Sequence, residues 1–376
     1  YSFSKLRENV NKFKNNFKSF SPLICFAVKS NTNVNLIREI KKFGLGADVV
    51  SLGELMMALK AGIKPNKIVF SGVGKTFDEL KFAINKKILL INAESLSEIM
   101  VINKIAKLKN KKVRVGIRLN PNTDAKTLKQ ISTGKKDDKF GVNDKIFFEI
   151  LKYCKNSKNL NLQCLSVHIG SQILNNKPYE KMLQVIEKMI NKSNYNFKFI
   201  DLGGGMGISY GQETKKLNYQ KYCIAIKKFL KNHKSKIIFE PGRSIIGNTG
   251  ILITKIIYIK KSGKKKFIIL DAAMNDLMRP ALYGAIHKIM PSLKRNKISN
   301  ENHEFVGPIC ESTDSFLNLK KFQELREDEI IVICDVGAYG MSLSSNYNLR
   351  PKPIELLIKG SKIKIIKKRQ KHKDFI

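Results

Sequence analysis

Three things are missing from this chain of 376 residues, and each absence removes a class of protein. The six cysteines (Cys25, Cys154, Cys164, Cys223, Cys310 and Cys334) form no C-x-x-C pair and no dense framework, so neither a zinc knuckle nor a disulfide scaffold is expected, and a reducing cytoplasm fits. No apolar run reaches about 18 residues without a charge, so no membrane-spanning helix is expected. No signal-peptide layout, internal repeat or low-complexity linker appears. The chain opens at Tyr1 instead of Met.

Acid is also scarce. Asp and Glu total 31 against 70 Lys and Arg, a formal net charge of +39. Such a balance ordinarily points to nucleic acid. Here, however, ten arginines leave 60 lysines spread along the whole length among many Asn and Ile, the skew of codons rich in A and T. The basic residues therefore read as solvated lysines, and neither nucleic acid nor membrane is expected as a partner. What is present is a 43% hydrophobic content over a length sufficient for two domains.

Periodicity organises that content. Short β-branched runs at 23–28, 47–50, 68–71, 88–91, 113–119, 163–168, 197–202 and 236–240 read as strands. Between them, residues 34–43, 52–61, 77–85, 96–108, 145–154, 179–191 and 219–232 carry apolar residues at helical spacing. Eight βα units over about 250 residues predict a (β/α)8 TIM barrel in place of a doubly wound sheet. After Gly250 the pattern turns to strands, at 251–260, 266–271, 330–335 and 354–358, and predicts a mainly β domain. The fold class expected is thus α/β plus all-β, with a barrel over 1–247 and a β domain over 248–376. The basic tail at 359–376 is expected to fray.

Polar residues punctuate the strand ends. Lys29 closes the first strand, His168 and Ser171 follow the sixth, Gly203, Gly204 and Gly205 follow the seventh, and Glu240 closes the eighth. In a barrel these positions share the catalytic mouth. A lysine there, if desolvated, becomes a neutral nucleophile suited to Schiff-base formation, although one lysine among 60 reads first as a rim residue. The run D-L-G-G-G-M-G at 201–207 shifts that balance, because glycines after strand seven let backbone N–H groups approach a phosphate. Glu240, opening E-P-G-R, suits the nitrogen of a pyridine ring; its bland alternative is an ion pair with a barrel arginine such as Arg118. His168 suits an aromatic plate or a satisfied core histidine.

Together these motifs resemble the fold-type III pyridoxal-phosphate decarboxylases, which have an alanine racemase-like barrel, and within them the diaminopimelate decarboxylase group most closely. The resemblance runs through F-A-V-K-S-N at 26–31, G-A-D-V-V-S-L-G-E-L at 46–55, I-S-T-G-x4-K-F-G at 131–141, H-I-G-S-Q-I at 168–173, D-L-G-G-G at 201–205 and E-P-G-R at 240–243. It continues through M-R-P-A-L-Y at 278–283, G-P-I-C-E-S-T-D at 307–314 and G-A-Y-G-x-S-x-S-S-N-Y-N-x-R-P at 337–351.

The resemblance implies pyridoxal 5'-phosphate as cofactor, Lys29 as its Schiff-base lysine and His168 as its stacking plate. Ser171, Gly203, Gly204, Gly205, Glu240, Pro241, Gly242, Arg243 and Tyr347 are then its phosphate and ring contacts. It implies a C-terminal β-sandwich or Greek-key-like domain and a head-to-tail homodimer in which Cys310, from the second subunit, protonates the product. Arg243, Arg279, Tyr283, Glu311 and Tyr347 are implied to hold a diamino acid. Diaminopimelate carries an amine and a carboxylate at its unreactive end, which an arginine fork and a glutamate can bind. Ornithine lacks that carboxylate and would leave the arginine unpaired. The rivals are a decarboxylase of ornithine, arginine, carboxynorspermidine or a D-amino acid, an inactive homologue, and a nucleic-acid binder. Two features depart from the pattern: T-L-K-Q at 127–130 stands where relatives often carry a His and an aromatic residue, and the first strand of the β domain is unaccounted for.

Overall fold

The computed structural model describes residues 1–125, 127, 131, 133–211 and 216–376; the expectations that fall on Ser132 and on 128–130 lie outside this set. The chain divides into two compact units. One holds Val10–Gly207 and Lys215–Ile245; the other holds Tyr1–Asn9, Ile208–Thr214 and Ile246–Ile376.

The first unit is a closed parallel barrel of eight strands in sequential order. They are β1 (Leu23–Ala27), β2 (Gly46–Val49), β3 (Ile68–Phe70), β4 (Leu90–Ala93), β5 (Val113–Arg118), β6 (Leu160–Ser166), β7 (Phe199–Asp201) and β8 (Lys236–Phe239). Pairing of Leu23 with Ile238 and of Ile24 with Phe239 closes the ring. Helices alternate with the strands: α1 (Phe3–Phe17) precedes the barrel, and α2 (Val34–Lys42), α3 (Leu52–Lys60), α4 (Phe77–Asn85), α5 (Leu96–Leu108), α6 (Asp144–Asn156), α7 (Lys177–Ser193) and α8 (Tyr219–Asn232) cover it. With helices outside and side chains filling the inside, both faces of each strand are dry, and the runs read as continuous Val, Ile and Leu. Ser51, Thr76, Ser95, Asn143 and Asn218 each accept a backbone N–H of the helix they start, so these βα loops, short or long, end in a cap.

Helix α1 is absent from the expected elements, although Leu6, Val10, Phe13 and Phe17 recur at helical spacing and are all buried. Phe17 packs 4.7 Å from Phe239 and 5.0 Å from Phe13, ring centre to ring centre.

The second unit is mostly sheet. Its strands are β9 (Leu252–Ser262), β10 (Lys265–Leu270), β11 (Ile289–Pro291), β12 (Ile298–Ser299), β13 (Asn302–Val306), β14 (Ser315–Leu319), β15 (Phe322–Gln323), β16 (Ile330–Ile333), β17 (Glu355–Lys359) and β18 (Lys362–Lys367), with short helices α9 (Arg243–Ile246), which begins in the barrel unit, and α10 (Arg279–Tyr283). Six strands form one sheet in the order β11, β16, β9, β10, β13, β14, over a core of Ile256, Ile268, Leu270, Phe305, Phe316, Ile331 and Ile333. The basic tail does not fray as expected. Residues Lys362–Lys367 pair antiparallel with β17 and bury Ile366, while Ile363 and Ile365 stay exposed. The chain start joins the same hairpin, with Ser2 bridging Ile358 and the Tyr1 ammonium donating to the Leu356 carbonyl at 2.7 Å.

Candidate active site

After β1 the chain enters a single tight turn, Val28–Ser30, that presents Lys29. Its side chain is 35% exposed and its ammonium lies 3.2 Å from Asp48 Oδ2. The sequence reading expected desolvation to act on this amine. Instead the lysine keeps a path to water and is matched by a carboxylate buried completely in β2.

Below the mouth the strand ends form a network of acids. Asp201, at the end of β7, accepts from Asn92 Nδ2 at 2.9 Å, from Ser166 Oγ at 3.2 Å and from the Gly203 N–H at 3.0 Å. Glu240, directly after β8, accepts from Ser71 Oγ at 3.4 Å. Burial is the main cause that lifts both: Asp201 is raised to about 6, and Glu240 well above the usual carboxylate range, helped by the charges of Asp201 and Asp48 and opposed by Lys29. The two act on each other directly, in the sense that raises Glu240 and lowers Asp201. Arg118 is not the partner of Glu240. It pairs with Glu94 at 2.8 Å, and Glu94 also accepts the N–H groups of Gly72 and Gly141, each at 2.9 Å.

His168 follows β6, and its Nδ1 accepts the Gly204 N–H at 3.1 Å, which leaves its proton on Nε2. Desolvation, then the positive charges of Lys29 and Arg118, hold the ring well below the ordinary imidazole range, so it is neutral. The glycine run also serves the protein itself. The N–H groups of Gly203 and Gly204 are used inside the protein, on Asp201 and His168. Space is the tighter demand: a Cβ on Gly204 would lie 2.2 Å from the Glu240 carbonyl oxygen, and one on Gly203, where φ is +61°, 2.6 Å from His168 Nδ1. The cationic side of the mouth is Arg243, buried, whose Nη2 donates to Ser171 Oγ at 3.0 Å. Gly242 comes so close to Ser30 that a Cβ would sit 2.9 Å from its side chain, while Pro241 offers its carbonyl to the Ala27 N–H at 3.2 Å.

The second unit carries the remaining expected residues. Arg279 and Tyr283 bracket α10, four positions apart and so on one face. Cys310 and Glu311 are exposed on a loop folded around Asp314, whose carboxylate accepts the N–H groups of Met274 at 2.7 Å and Ile309 at 2.8 Å. The Tyr347 hydroxyl donates to Glu311, and that bond followed by the glutamate charge raises the phenol. Sequence reasoning missed Asp48, Glu94 and Asp314. A signal existed for the first two, as isolated acids inside or directly after apolar strands.

A family model described as "Pyridoxal-dependent decarboxylase, pyridoxal binding domain" matches residues 3–247. The chain belongs to the pyridoxal-dependent decarboxylases. Within that family it is 42% identical to the diaminopimelate decarboxylase of Aquifex aeolicus over all of this chain and 89% of that protein. It is equally similar, at 42%, to that of Helicobacter pylori strain J99, over 100% of this chain and 93% of the relative. The crystal structure of diaminopimelate decarboxylase from Helicobacter pylori complexed with L-lysine superposes with a TM-score of 0.95, covering 100% of this chain and 94% of that one. The eight-stranded barrel and the sheet-rich second unit are the family fold. Among the described residues, no cluster of His, Cys, Asp and Glu could hold a metal ion, and no helix is long and apolar enough to cross a membrane.

Proposed function

We propose that this chain decarboxylates meso-2,6-diaminopimelate to L-lysine and carbon dioxide, the last step of lysine biosynthesis, with pyridoxal 5'-phosphate as cofactor. The observation that carries the cofactor half is the excess of buried acid near Lys29: Asp48 pairs with it, while Asp201 and Glu240, both buried and both held above the usual carboxylate range, are matched by no cation in an ion pair among the described residues. A protonated pyridine nitrogen at Glu240 would supply that cation. The residues present fit the group.

Pyridoxal 5'-phosphate, when bound, supplies a ring that accepts the electron pair left when a carboxylate departs from the α-carbon. Lys29 would hold it covalently through Nζ and release it to the substrate amine. Glu240 would keep the ring nitrogen protonated, and neutral His168 would stack on the ring without adding charge. Ser171, Gly203, Gly204, Gly205 and the loop Glu240, Pro241, Gly242, Arg243 would hold phosphate and ring edge, with Tyr347 contributing. At the unreactive end of the substrate, the Arg279 guanidinium would take the carboxylate and Glu311 the ammonium, with Arg243, Tyr283 and Tyr347 lining the same end. Cys310 would hold a proton at Sγ for the α-carbon. In our reading Cys310 and Glu311 serve the mouth of a second copy, making the enzyme a homodimer with shared sites, with domains at 1–247 and 248–376. Six free cysteines support a reducing, cytoplasmic setting. The Helicobacter pylori relative, whose crystal structure contains L-lysine, supports the product.

The test combines a visible absorbance scan before and after borohydride with carbon dioxide release. The protein shows a band that borohydride abolishes, and Lys29→Ala lacks it. Carbon dioxide is released from meso-diaminopimelate and not from L-ornithine. The reverse preference overturns the substrate, and absence of a Lys29-dependent band overturns the cofactor assignment.

A further inference from the structure

We propose that Tyr179 is a positioning residue for the phosphate of the cofactor: its hydroxyl fixes the peptide plane between Gly204 and Gly205, so that the Gly205 N–H and not the Gly204 carbonyl is turned toward the anion. The inference rests on the reading of the glycine run as the phosphate's cradle. Tyr179, fully buried in the first turn of α7, lies in the same compact unit as β7 and the glycines that follow it.

Two of the three N–H groups in the run are held inside the protein, that of Gly203 by Asp201 and that of Gly204 by His168. The third, on Gly205, takes part in none of the hydrogen bonds among the described residues. Its direction is set from the other end of the same plane. The Tyr179 hydroxyl donates to the Gly204 carbonyl at 3.0 Å, and in a trans peptide the C=O and the following N–H point opposite ways. Burial raises the phenol well above its ordinary range, so the hydroxyl keeps the proton it donates. The next plane is pinned as well, because the Gly205 carbonyl accepts the Ile173 N–H at 2.9 Å.

The need for such a hold comes from the glycines themselves. A plane flanked by two residues without Cβ turns over easily, since neither neighbour restricts it. Turned over, it would aim a carbonyl oxygen at a phosphate; a hydroxyl donor on the far side favours the orientation that aims an N–H instead. Gly205 also makes room for that donor. Its φ is +88°, and a Cβ there would lie 3.1 Å from the Tyr179 oxygen and 2.4 Å from the Gly170 carbonyl oxygen. Tyr222 supplies a control within the same stack: its ring lies 4.4 Å from that of Tyr179 at 29°, it is equally buried, and its hydroxyl has no hydrogen-bond partner among the described residues.

The experiment titrates the full chain, freed of cofactor, with pyridoxal 5'-phosphate and with pyridoxal, which lacks the phosphate, by equilibrium dialysis. In Tyr179→Phe we expect the dissociation constant for pyridoxal 5'-phosphate to rise about 5- to 10-fold, as when one hydrogen bond is lost, with that for pyridoxal within about twofold. Tyr222→Phe, which removes a hydroxyl from the same stack but leaves the Gly204 bond, changes neither constant. A parallel rise for both ligands in Tyr179→Phe, an unchanged ratio of the two constants, or the same selective loss in Tyr222→Phe overturns the proposal. If Tyr179→Phe does not fold, the wild type decides by nuclear magnetic resonance. Glycine labelled at its carbonyl carbon and its nitrogen gives carbonyl-to-amide correlations only where one glycine follows another, which in this chain happens only at 203–205. One of those two signals, that of Gly205, is expected to shift with pyridoxal 5'-phosphate and not with pyridoxal, and a pair of signals that respond alike to both ligands overturns the proposal. A wild type that binds both ligands equally tightly removes the cradle and the proposal with it; a wild type that prefers the phosphorylated ligand, with Tyr179→Phe keeping that preference, removes only the role of Tyr179.

Discussion

Replacing Glu54 by Gln should make the folded protein more stable in mild alkali and leave it unchanged in mild acid. Glu54 sits in the first turn of α3, and its Oε2 accepts the Val50 N–H at 3.0 Å, a bond that a glutamine oxygen preserves. Burial first, then the charge of Asp48, raises the carboxyl from 4.5 to about 7, against the opposing effects of the Val50 bond and of Lys29. The sign follows. The folded state binds this proton more tightly than the unfolded chain does, so stability is intact below about 4.5 and is lost as pH rises through about 7. At about 1.4 kcal/mol per unit of displacement, the ionised side chain costs the native state on the order of 3 kcal/mol at pH 8. Denaturant midpoints of the cofactor-free wild type and of Glu54→Gln should therefore nearly coincide at pH 4.5 and differ at pH 8 by about 2 to 3 kcal/mol in favour of the variant. An equal difference at both pH values would refute the reasoning.

Two further outcomes follow from the barrel. Glu240→Gln should lower kcat by on the order of 10²-fold, since the charge opposite the ring nitrogen is lost, while native stability at pH 8 does not fall, because the amide oxygen still accepts from Ser71 and a strained buried acid has been removed; unchanged turnover would exclude the role given to Glu240. Phe17→Ala, which empties a fully buried site against Phe13, Tyr222 and Phe239, should cost about 3 to 5 kcal/mol by denaturant midpoint, and a loss under about 1 kcal/mol would show that α1 is not part of the barrel core.

The barrel was legible because its strands are buried on both faces and separated by helices with unmistakable spacing. Errors fell at edges: the expected strand at 88–91 begins at Leu90 and runs to Ala93, and that expected at 163–168 is Leu160–Ser166. Strands β11 to β15 and β18 were passed over because they are short or carry polar faces; even β13, which alternates in burial, turns a histidine inward beside Phe305. The places of Lys29, His168 and Glu240 at or just after strand ends were legible. Their surroundings were not, since which acid meets Lys29 depends on register, here Ala27 opposite Asp48. The choice of Glu94 over Glu240 as the partner of Arg118 is likewise a matter of neighbouring strands. Neither can be read along one segment.

The scarcity of acid gives that register its meaning. A chain with 31 acidic residues against 70 basic ones gathers Asp48, Glu54, Glu94, Asp201 and Glu240 around the strand ends of one barrel. Glu94 is matched by Arg118 and Asp48 by Lys29, and among the described residues no lysine forms an ion pair with the rest. What is left is a carboxyl pair raised above the usual carboxylate range at one side of the mouth and, at the other, a buried arginine joined to Ser171. Such a cavity is poor in energy for an empty protein, because a buried carboxyl pair without a matching cation costs stability. It suits a ligand that is itself split in charge, cationic at a ring nitrogen and anionic at a phosphate, and the stability withheld from the empty fold is then returned as affinity when that ligand binds.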